Sequence, residues 1–357
     1  MSEFIRTEER ENCPLCDNIG KPLLMGLSDR LYRVPGQWNY LHCKDCGLAW
    51  LSPRPVSKDL GKCYPDSYFT HEKPDFADPL SVDTKDQLTA FKRRLRLAIL
   101  RGWFNYQHLP KQSYFLSAAA ALLMLLPSFR EKVTMGLGQR MVSYKEKGRL
   151  LDIGCGNGTY LALMKRLGWE VAGIEIDPEA AKIASSNFGI YVHVGDIATA
   201  PFDSESFDVI TMSHVIEHVP DPVRFLGEVI QLLKPSGKVI IVTPNLQSLG
   251  ARFFGTDWYY WDPPRHLVLF TPRSLALCLK KAGLSRQHIY SSPRKARKIF
   301  RKRLLLQKTG FFSHEYEDSL TNHLWAKFGA KLFEILERLG NFVFYWGEEI
   351  ECVAVKE

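Results

Sequence analysis

Three glycines at alternate positions, Gly154, Gly156 and Gly158, follow a short apolar run ending in Asp152-Ile153. Glycine lets a backbone turn tightly and approach a ligand closely. A helix opening at Thr159 would add N–H donors at its N-terminus. This chemistry cradles a nucleotide-bearing cofactor. The loop departs from the dinucleotide fingerprint G-x-G-x-x-G, because its last glycine comes one position early. Asp152 is placed to orient the loop. Glu175 closes the next β-rich run, where a carboxylate can accept both hydroxyls of a ribose. Asp177 reads as the cap of the following helix. Gly195-Asp196 follows a third run, and an acid there can accept from the exocyclic amine of adenine.

A second set of residues points to metal. Cys13-x-x-Cys16 and Cys43-x-x-Cys46 are separated by 26 residues. Two such pairs can present four thiolates tetrahedrally to Zn²⁺. Gly47 follows the second pair, where backbone turns to aim N–H groups at sulfur. A redox role fits less well, since neither pair opens a helix. His42 and Cys63 are nearby but break the spacing. His214-x-x-Glu217-His218 matches a zinc-protease pattern. That pattern needs one long helix. Here it follows a strand and stops at Pro220-Asp221-Pro222, which argues against a protease.

The elements that must hold these groups are legible. Residues 1–80 are rich in turn residues and read as a zinc-ribbon-like module. Residues 81–147 read as a basic helical linker or cap, with Phe91, Leu95, Leu97, Ile99 and Leu100 at helical spacing. Residues 148–357 alternate β-rich and helical runs, the α/β signature. Strands are predicted at Arg149–Ile153, Glu170–Glu175, Ile190–Val194, Phe207–Met212, Lys238–Val242, Arg286–Tyr290 and Glu349–Lys356. Helices are predicted at Thr159–Leu167, Pro178–Asn187, Pro222–Leu233 and Pro272–Ala282, the last capped by Gly283. Leu233-Lys234-Pro235-Ser236-Gly237 reads as a helix end and turn. A basic, helical insertion occupies about 292–346, before the last strand.

The run LLDIGCGNG, then GIEID, GDI, FDVITMSHVIEHVPDP and LLKPSGKVIIVTPN resembles a class I S-adenosylmethionine (SAM)-dependent methyltransferase, in the branch similar to ubiquinone and menaquinone methyltransferases. The resemblance covers about 149–290, with the last strand at 349–356. It implies a Rossmann-like seven-stranded sheet with SAM across the carboxyl ends of the first four strands. On that reading Asp152, Gly154, Gly156, Gly158 and Glu175 bind SAM, with Asp196 and Ile197 by the adenine and Ser213 and His214 near the methionine part. CKDCGLAWLSPRP followed by YPDSYF resembles the amino-terminal module ahead of some sugar and natural-product methyltransferases. The resemblance places the acceptor after the fifth strand, at Thr243-Pro244-Asn245 and Phe253–Phe270. There Trp258, Tyr259, Tyr260 and Trp261 would wall a pocket, and Arg265 would hold a phosphate or carboxylate bidentately. His266 is the first candidate base, followed by His214 and Tyr260.

Composition sets outer bounds. The chain has 357 residues, 45% hydrophobic and 24% charged, which excludes disordered, collagen-like and mucin-like classes. Net charge is +8. The excess concentrates in 90–147 and in Arg294–Lys308, which permits contact with an anionic membrane or anionic substrate. Tyr114–Leu126 is too short for a span of about 20 residues and reads as a buried helix, with an interfacial helix beside the basic run Lys92–Arg101 as the alternative. Met1–Glu11 has no apolar h-region, which predicts a cytoplasmic chain, peripheral at most to the inner membrane surface. The expected acceptor is a small molecule or a sugar- or lipid-linked precursor, methylated at oxygen or carbon. The rivals are a SAM-fold protein that binds partners without catalysis, and an RNA methyltransferase. Asp29, Asp45, Asp59 and Asp66 dilute any basic face of the ribbon, which argues against nucleic acid.

Overall fold

Short β-branched runs bracketed by glycine, proline and helix caps become the strands of a mixed α/β protein, seen here in a computed structural model. The structure describes residues 4–64, 86–125, 129, 141–312 and 323–357, apart from the side chain of Phe342. The predicted YPDSYF tail beyond Tyr64 lies outside the described residues. So do Leu126, Pro127, Arg130, Lys132 and Arg140, and part of the predicted insertion, 313–322.

The main sheet has seven strands. They are β6 (Arg149–Ile153), β7 (Glu170–Glu175), β8 (Tyr191–Val194), β9 (Phe207–Ser213), β10 (Leu233–Pro244), β12 (Arg286–Ser292) and β13 (Glu349–Val355). Their order is β12-β13-β10-β9-β6-β7-β8. β6, β7 and β8 are parallel. β13 lies between β10 and β12 and runs antiparallel to both. The predicted strands are all present. β10 alone is clearly longer: it begins at Leu233 and takes in the expected turn at Leu233–Gly237, where Ser236 has a left-handed φ of 59°.

Contact density divides the chain into two units, one built from 69–211 and 232–237, the other from 1–68, 212–231 and 238–357. In the first, α1 (Gln87–Trp103) starts at Asp86, whose carboxylate accepts from the N–H groups of Leu88 and Thr89. It buries Leu95, Leu97, Ala98, Ile99 and Leu100. α2 (Tyr114–Leu123) differs from the buried helix expected there. Tyr114, Phe115, Leu122 and Leu125 are exposed, while Ala120 and Met124 pack toward Leu95, Ala98 and Ile99. Its alanine run gives one small, narrow contact face, so the apolar side chains around it are left outside. α3 (Thr159–Arg166) and α4 (Pro178–Phe188) follow β6 and β7. Asp177 caps α4 by accepting from Glu179 and Ala180.

In the second unit, β1 (Thr7–Glu8) pairs with β5 (Arg54–Pro55), and β2 (Lys21–Leu27), β3 (Trp38–His42) and β4 (Ala49–Leu51) form the ribbon. Their sheet is completed by β11 (Val268–Leu269), in the order β11-β4-β3-β2. Leu27, Trp38, Tyr40 and Leu51 share one core with Trp258, Tyr260, Trp261 and Leu269. The unit also holds α5 (Pro222–Leu232), α6 (Leu249–Phe253), α7 (Pro272–Lys281), α8 (Ala296–Thr309) and α9 (Leu324–Phe344). Among the described residues, no helix is long and apolar enough to cross a membrane.

Candidate active site

Parallel pairing in the first unit brings three loops to one sheet edge. Ile153 is in register with Ile174, and Glu175 with Val194. The glycine loop, Glu175-Ile176 and Gly195-Asp196 therefore emerge side by side, at the carboxyl ends where α/β sheets bind ligands. Gly154, Gly156 and Gly158 have φ of 67°, 54° and 79°, a region costly for residues with a Cβ. A Cβ at Gly158 would sit 2.6 Å from Cβ of Ala184, so this glycine lets α3 and α4 approach. A Cβ at Gly156 would meet nothing within 4 Å. The space beside the middle of the loop is open.

Glu175 is buried, and its carboxylate accepts from the N–H of Gly156 at 2.7 Å and of Asp177 at 3.1 Å. Burial pushes its pKa up, and the backbone N–H groups pull against that. Asp152 is also buried and accepts from the Thr211 hydroxyl at 2.6 Å. Asp196 is exposed and accepts from the Thr199 N–H at 3.1 Å, while Ile197 is buried. Ile176 was not singled out by the sequence. It is 63% exposed directly after Glu175, an apolar surface for a flat ring beside a ribose acceptor. Its signal was an isoleucine sandwiched between two acids. These residues fit SAM: an acidic acceptor, an open glycine cradle and an apolar shelf lie along one edge.

The second unit carries the titratable cluster. Ser213 ends β9, and His214 follows at φ 56°. Its Nδ1 is 3.0 Å from Glu217 and its Nε2 is 2.9 Å from Glu349. Burial disfavours the imidazolium, but the bonds to Glu217 and Glu349 outweigh it and raise the pKa to about 9. His214 is thus a cation near neutral pH, clamped between two carboxylates. Its ring stacks on Tyr260, whose hydroxyl donates to Glu349 at 3.0 Å. Tyr260 is buried, and burial followed by Glu349 raises its pKa, so its proton stays on. His266 is buried with Nδ1 2.8 Å from the Tyr260 carbonyl oxygen, so Nδ1–H donates and Nε2 lies outside that bond. His218 has Nδ1 3.0 Å from the Arg265 carbonyl oxygen, and its Nε2 likewise lies outside the bond. Burial, with His266 second, lowers the His218 pKa to about 4. The sequence had presented His218 only as part of a rejected protease pattern.

The clamp on His214 makes stability depend on pH. A folded pKa of about 9 against an ordinary 6.5 stabilises fully below 6.5 and is lost as pH rises through 9. Glu217 is held down at about 2 against an ordinary 4.5, so its share is present above 4.5 and lost as pH falls through 2. His214→Gln should flatten the fall in urea midpoint between pH 6.5 and pH 9. An unchanged slope in that variant would refute the clamp.

Two expectations for the acceptor region need correction. Arg265 does not offer its guanidinium to a ligand. It is 1% exposed and is taken up by Asp29 and Asp262. Trp258 and Trp261 do not wall a pocket either. They lie in the ribbon core, where the Trp258 indole donates to Glu348 and the Trp261 indole to the Gly255 carbonyl. The argument from ribbon acids also weakens. Asp29 turns inward to Arg265, Asp59 is buried against Arg6, and Asp66 lies outside the described residues.

The four ribbon cysteines come together. Their Sγ atoms lie within 4.8 Å of one another, with Cys13–Cys46 at 3.5 Å and Cys16–Cys43 at 3.4 Å. A tetrahedral zinc–thiolate site holds sulfurs about 3.8 Å apart, so the set could hold a structural zinc with little adjustment. The Gly47 N–H closes the second knuckle on the Cys43 carbonyl at 2.9 Å. Bonding from Cys46 is the largest cause that lowers the Cys13 thiol, to about 5, which supplies a first thiolate.

The seven-stranded sheet in this order, with a glycine loop and a buried acid on adjacent carboxyl ends, has the Rossmann-like layout of SAM-dependent methyltransferase folds. Residues 128–289 match the family model for a methyltransferase domain. A ubiquinone biosynthesis O-methyltransferase of Xanthomonas axonopodis pv. citri is 34% identical over 162 residues, covering 40% of this chain and 64% of that protein. Its namesake from Cereibacter sphaeroides is 34% identical over 147 residues, covering 38% and 60%. The chain therefore spans somewhat under two thirds of the curated relatives it matches. A solved SAM-dependent methyltransferase from Archaeoglobus fulgidus is similar at 21% identity and a TM-score of 0.40, over 68% of this chain and 100% of that one.

Proposed function

We propose that the protein transfers the methyl group of SAM to a hydroxyl of a small molecule. The observation that carries this reading is Glu175 at the end of β7, bonded to the N–H of Gly156 beside an open loop. In this reading Glu175 holds the ribose, Ile176 supports the adenine, and Asp196 and Ile197 flank it. SAM carries its own leaving group, so the protein mainly supplies proximity and orientation. A hydroxyl acceptor needs its proton removed as the bond forms. Of the candidate bases, His266 and His218 spend only Nδ1 on backbone carbonyls, whereas His214 and Tyr260 are held protonated. The relatives are ubiquinone biosynthesis O-methyltransferases, which supports oxygen as the acceptor atom.

The same reading includes contact with an anionic lipid surface. Leu324, Trp325, Phe328, Leu339 and Val343 are exposed along α9, with Lys327 and Lys331 beside them. Apolar side chains flanked by cations suit peripheral binding. The basic run before α9 contributes less than its composition suggests: Arg297 pairs with Glu334, and Lys302 lies over the Tyr259 ring. The reading is tested with S-adenosylhomocysteine in a calorimeter and with methyl-labelled SAM offered alongside catechol-like acceptors. Saturable binding and label in the acceptor are expected. No binding at millimolar ligand would sink it.

A further inference from the structure

His218 and His266 are 48 positions apart, yet their rings meet edge to face with centroids 4.8 Å apart. Each is oriented by its Nδ1, through the carbonyl of Arg265 at 3.0 Å and that of Tyr260 at 2.8 Å. Tyr64 adds a contact to the His218 Nδ1 at 3.1 Å. Neither Nε2 is spent in these bonds, which leaves the two rings as a donor pair. The Glu217 carboxylate completes it: donor atoms of Glu217, His218 and His266 all lie within 4.8 Å of one another. His266 Nε2 is 4.0 Å from Glu217 and 3.9 Å from Asp262. Glu217 is itself fixed, by His214 at 3.0 Å and the Thr243 hydroxyl at 2.9 Å.

We infer that Glu217, His218 and His266 form a second metal site, separate from the four cysteines, for a first-row divalent ion such as Zn²⁺. Two imidazoles and one carboxylate suit such an ion, whereas Mg²⁺ and Ca²⁺ favour all-oxygen sets. The backbone carbonyls behind both Nδ1 atoms are the outer contacts that metal-binding histidines normally have. Ligands held at about 2.0–2.2 Å lie about 3–4 Å apart, so small side-chain rotations close the set. Charge points the same way. In the hydrogen-bonded network, Glu217, Glu349, Asp262 and Asp29 share the cations His214 and Arg265, with Lys295 adding to the field at Glu349. Buried charge of one sign calls for a counter-ion. Three protein donors leave a four-coordinate ion one position for water or an acceptor oxygen. The half-buried His218 gives that position a way in. The H-x-x-E-H run is thereby divided: His214 braces Glu217, and His218 takes His266 as its partner in place of His214.

This inference goes beyond methyl transfer, and a bound ion would take up both Nε2 lone pairs, so that activation of an acceptor would pass from a histidine base to the metal-bound oxygen; its test reads metal alone. Full-length protein stripped of metal is titrated with Co²⁺ and followed by absorption. Two equivalents are expected. One gives thiolate-to-cobalt charge transfer from the cysteine site. The other gives ligand-field bands with no such charge transfer. His218→Gln and His266→Gln should each weaken the second equivalent by more than the roughly 10–100-fold that loss of an outer-shell partner costs, while the thiolate band stays. The retained thiolate band also shows that each variant has folded around its ribbon. Wild-type protein that takes up Co²⁺ only with thiolate charge transfer overturns the site. So does a second equivalent that survives both substitutions, since that would be an ion elsewhere on the surface.

Discussion

Replacing Arg265 by methionine should cost about 3–5 kcal/mol, the range for removing one partner of a buried ion cluster. The guanidinium donates to Asp29 through two nitrogens, at 2.8 and 2.7 Å, and through Nε to Asp262 at 3.0 Å. It also donates to the Cys63 carbonyl at 3.0 Å and lies over the Tyr32 ring. Asp29 in turn accepts from the N–H groups of Leu31, Tyr32 and Val34, so one cation organises the 29–34 loop. Without Arg265, two carboxylates stay buried with no cation to neutralise them. Urea unfolding followed by fluorescence of Trp38, Trp50, Trp258 and Trp261 reads this unit directly, since all four are buried there. A triple variant that also replaces Asp29 and Asp262 by leucine should recover much of the loss, because the cost lies in unpaired charge more than in the missing contact. An unchanged midpoint in the single variant would mean that Arg265 does not hold the loop.

The same residue shows where the sequence stops being legible. Arginine after a Pro-Pro turn in an acceptor loop reads as an anion binder, and nothing local contradicts that. Its partner Asp29 lies 236 positions away, in a module that looks self-contained. The aromatic run Trp258–Trp261 misleads for the same reason. Its burial depends on β11 joining the ribbon sheet, and a strand of two residues leaves no periodic signal. His218 and His266 likewise meet only after distant segments pair. By contrast, the strands of the main sheet stand almost where the pattern puts them. Most are short runs with valine or isoleucine among them, and a nearby glycine, proline or cap residue fixes the end. Glu175 was legible because its position depends only on β7 being parallel to β6. The cysteines were legible because each pair is fixed by its own knuckle.

Glu175→Ala should weaken S-adenosylhomocysteine binding by about 3 kcal/mol, on the order of 100-fold. Hydrogen bonds to a charged acceptor are worth about 1.5–3 kcal/mol each, and two ribose hydroxyls would use this one carboxylate. The substitution has a second effect on the protein alone. The N–H groups of Gly156 and Asp177 lose their acceptor, and the loop that cradles the ligand loses its tie to β7. Glu175→Gln separates the two contributions. An amide keeps one acceptor oxygen for the Gly156 N–H, so it preserves the loop better than it preserves ribose affinity. Binding by Glu175→Gln should therefore fall between wild type and alanine, with thermal stability close to wild type. Asp196→Ala should cost less than either, because Asp196 is exposed and bonded within its own turn. Calorimetry with the three variants orders them. If alanine at 175 binds as wild type does, then the ribose is held elsewhere, and the argument from the end of β7 fails along with the cofactor assignment built on it.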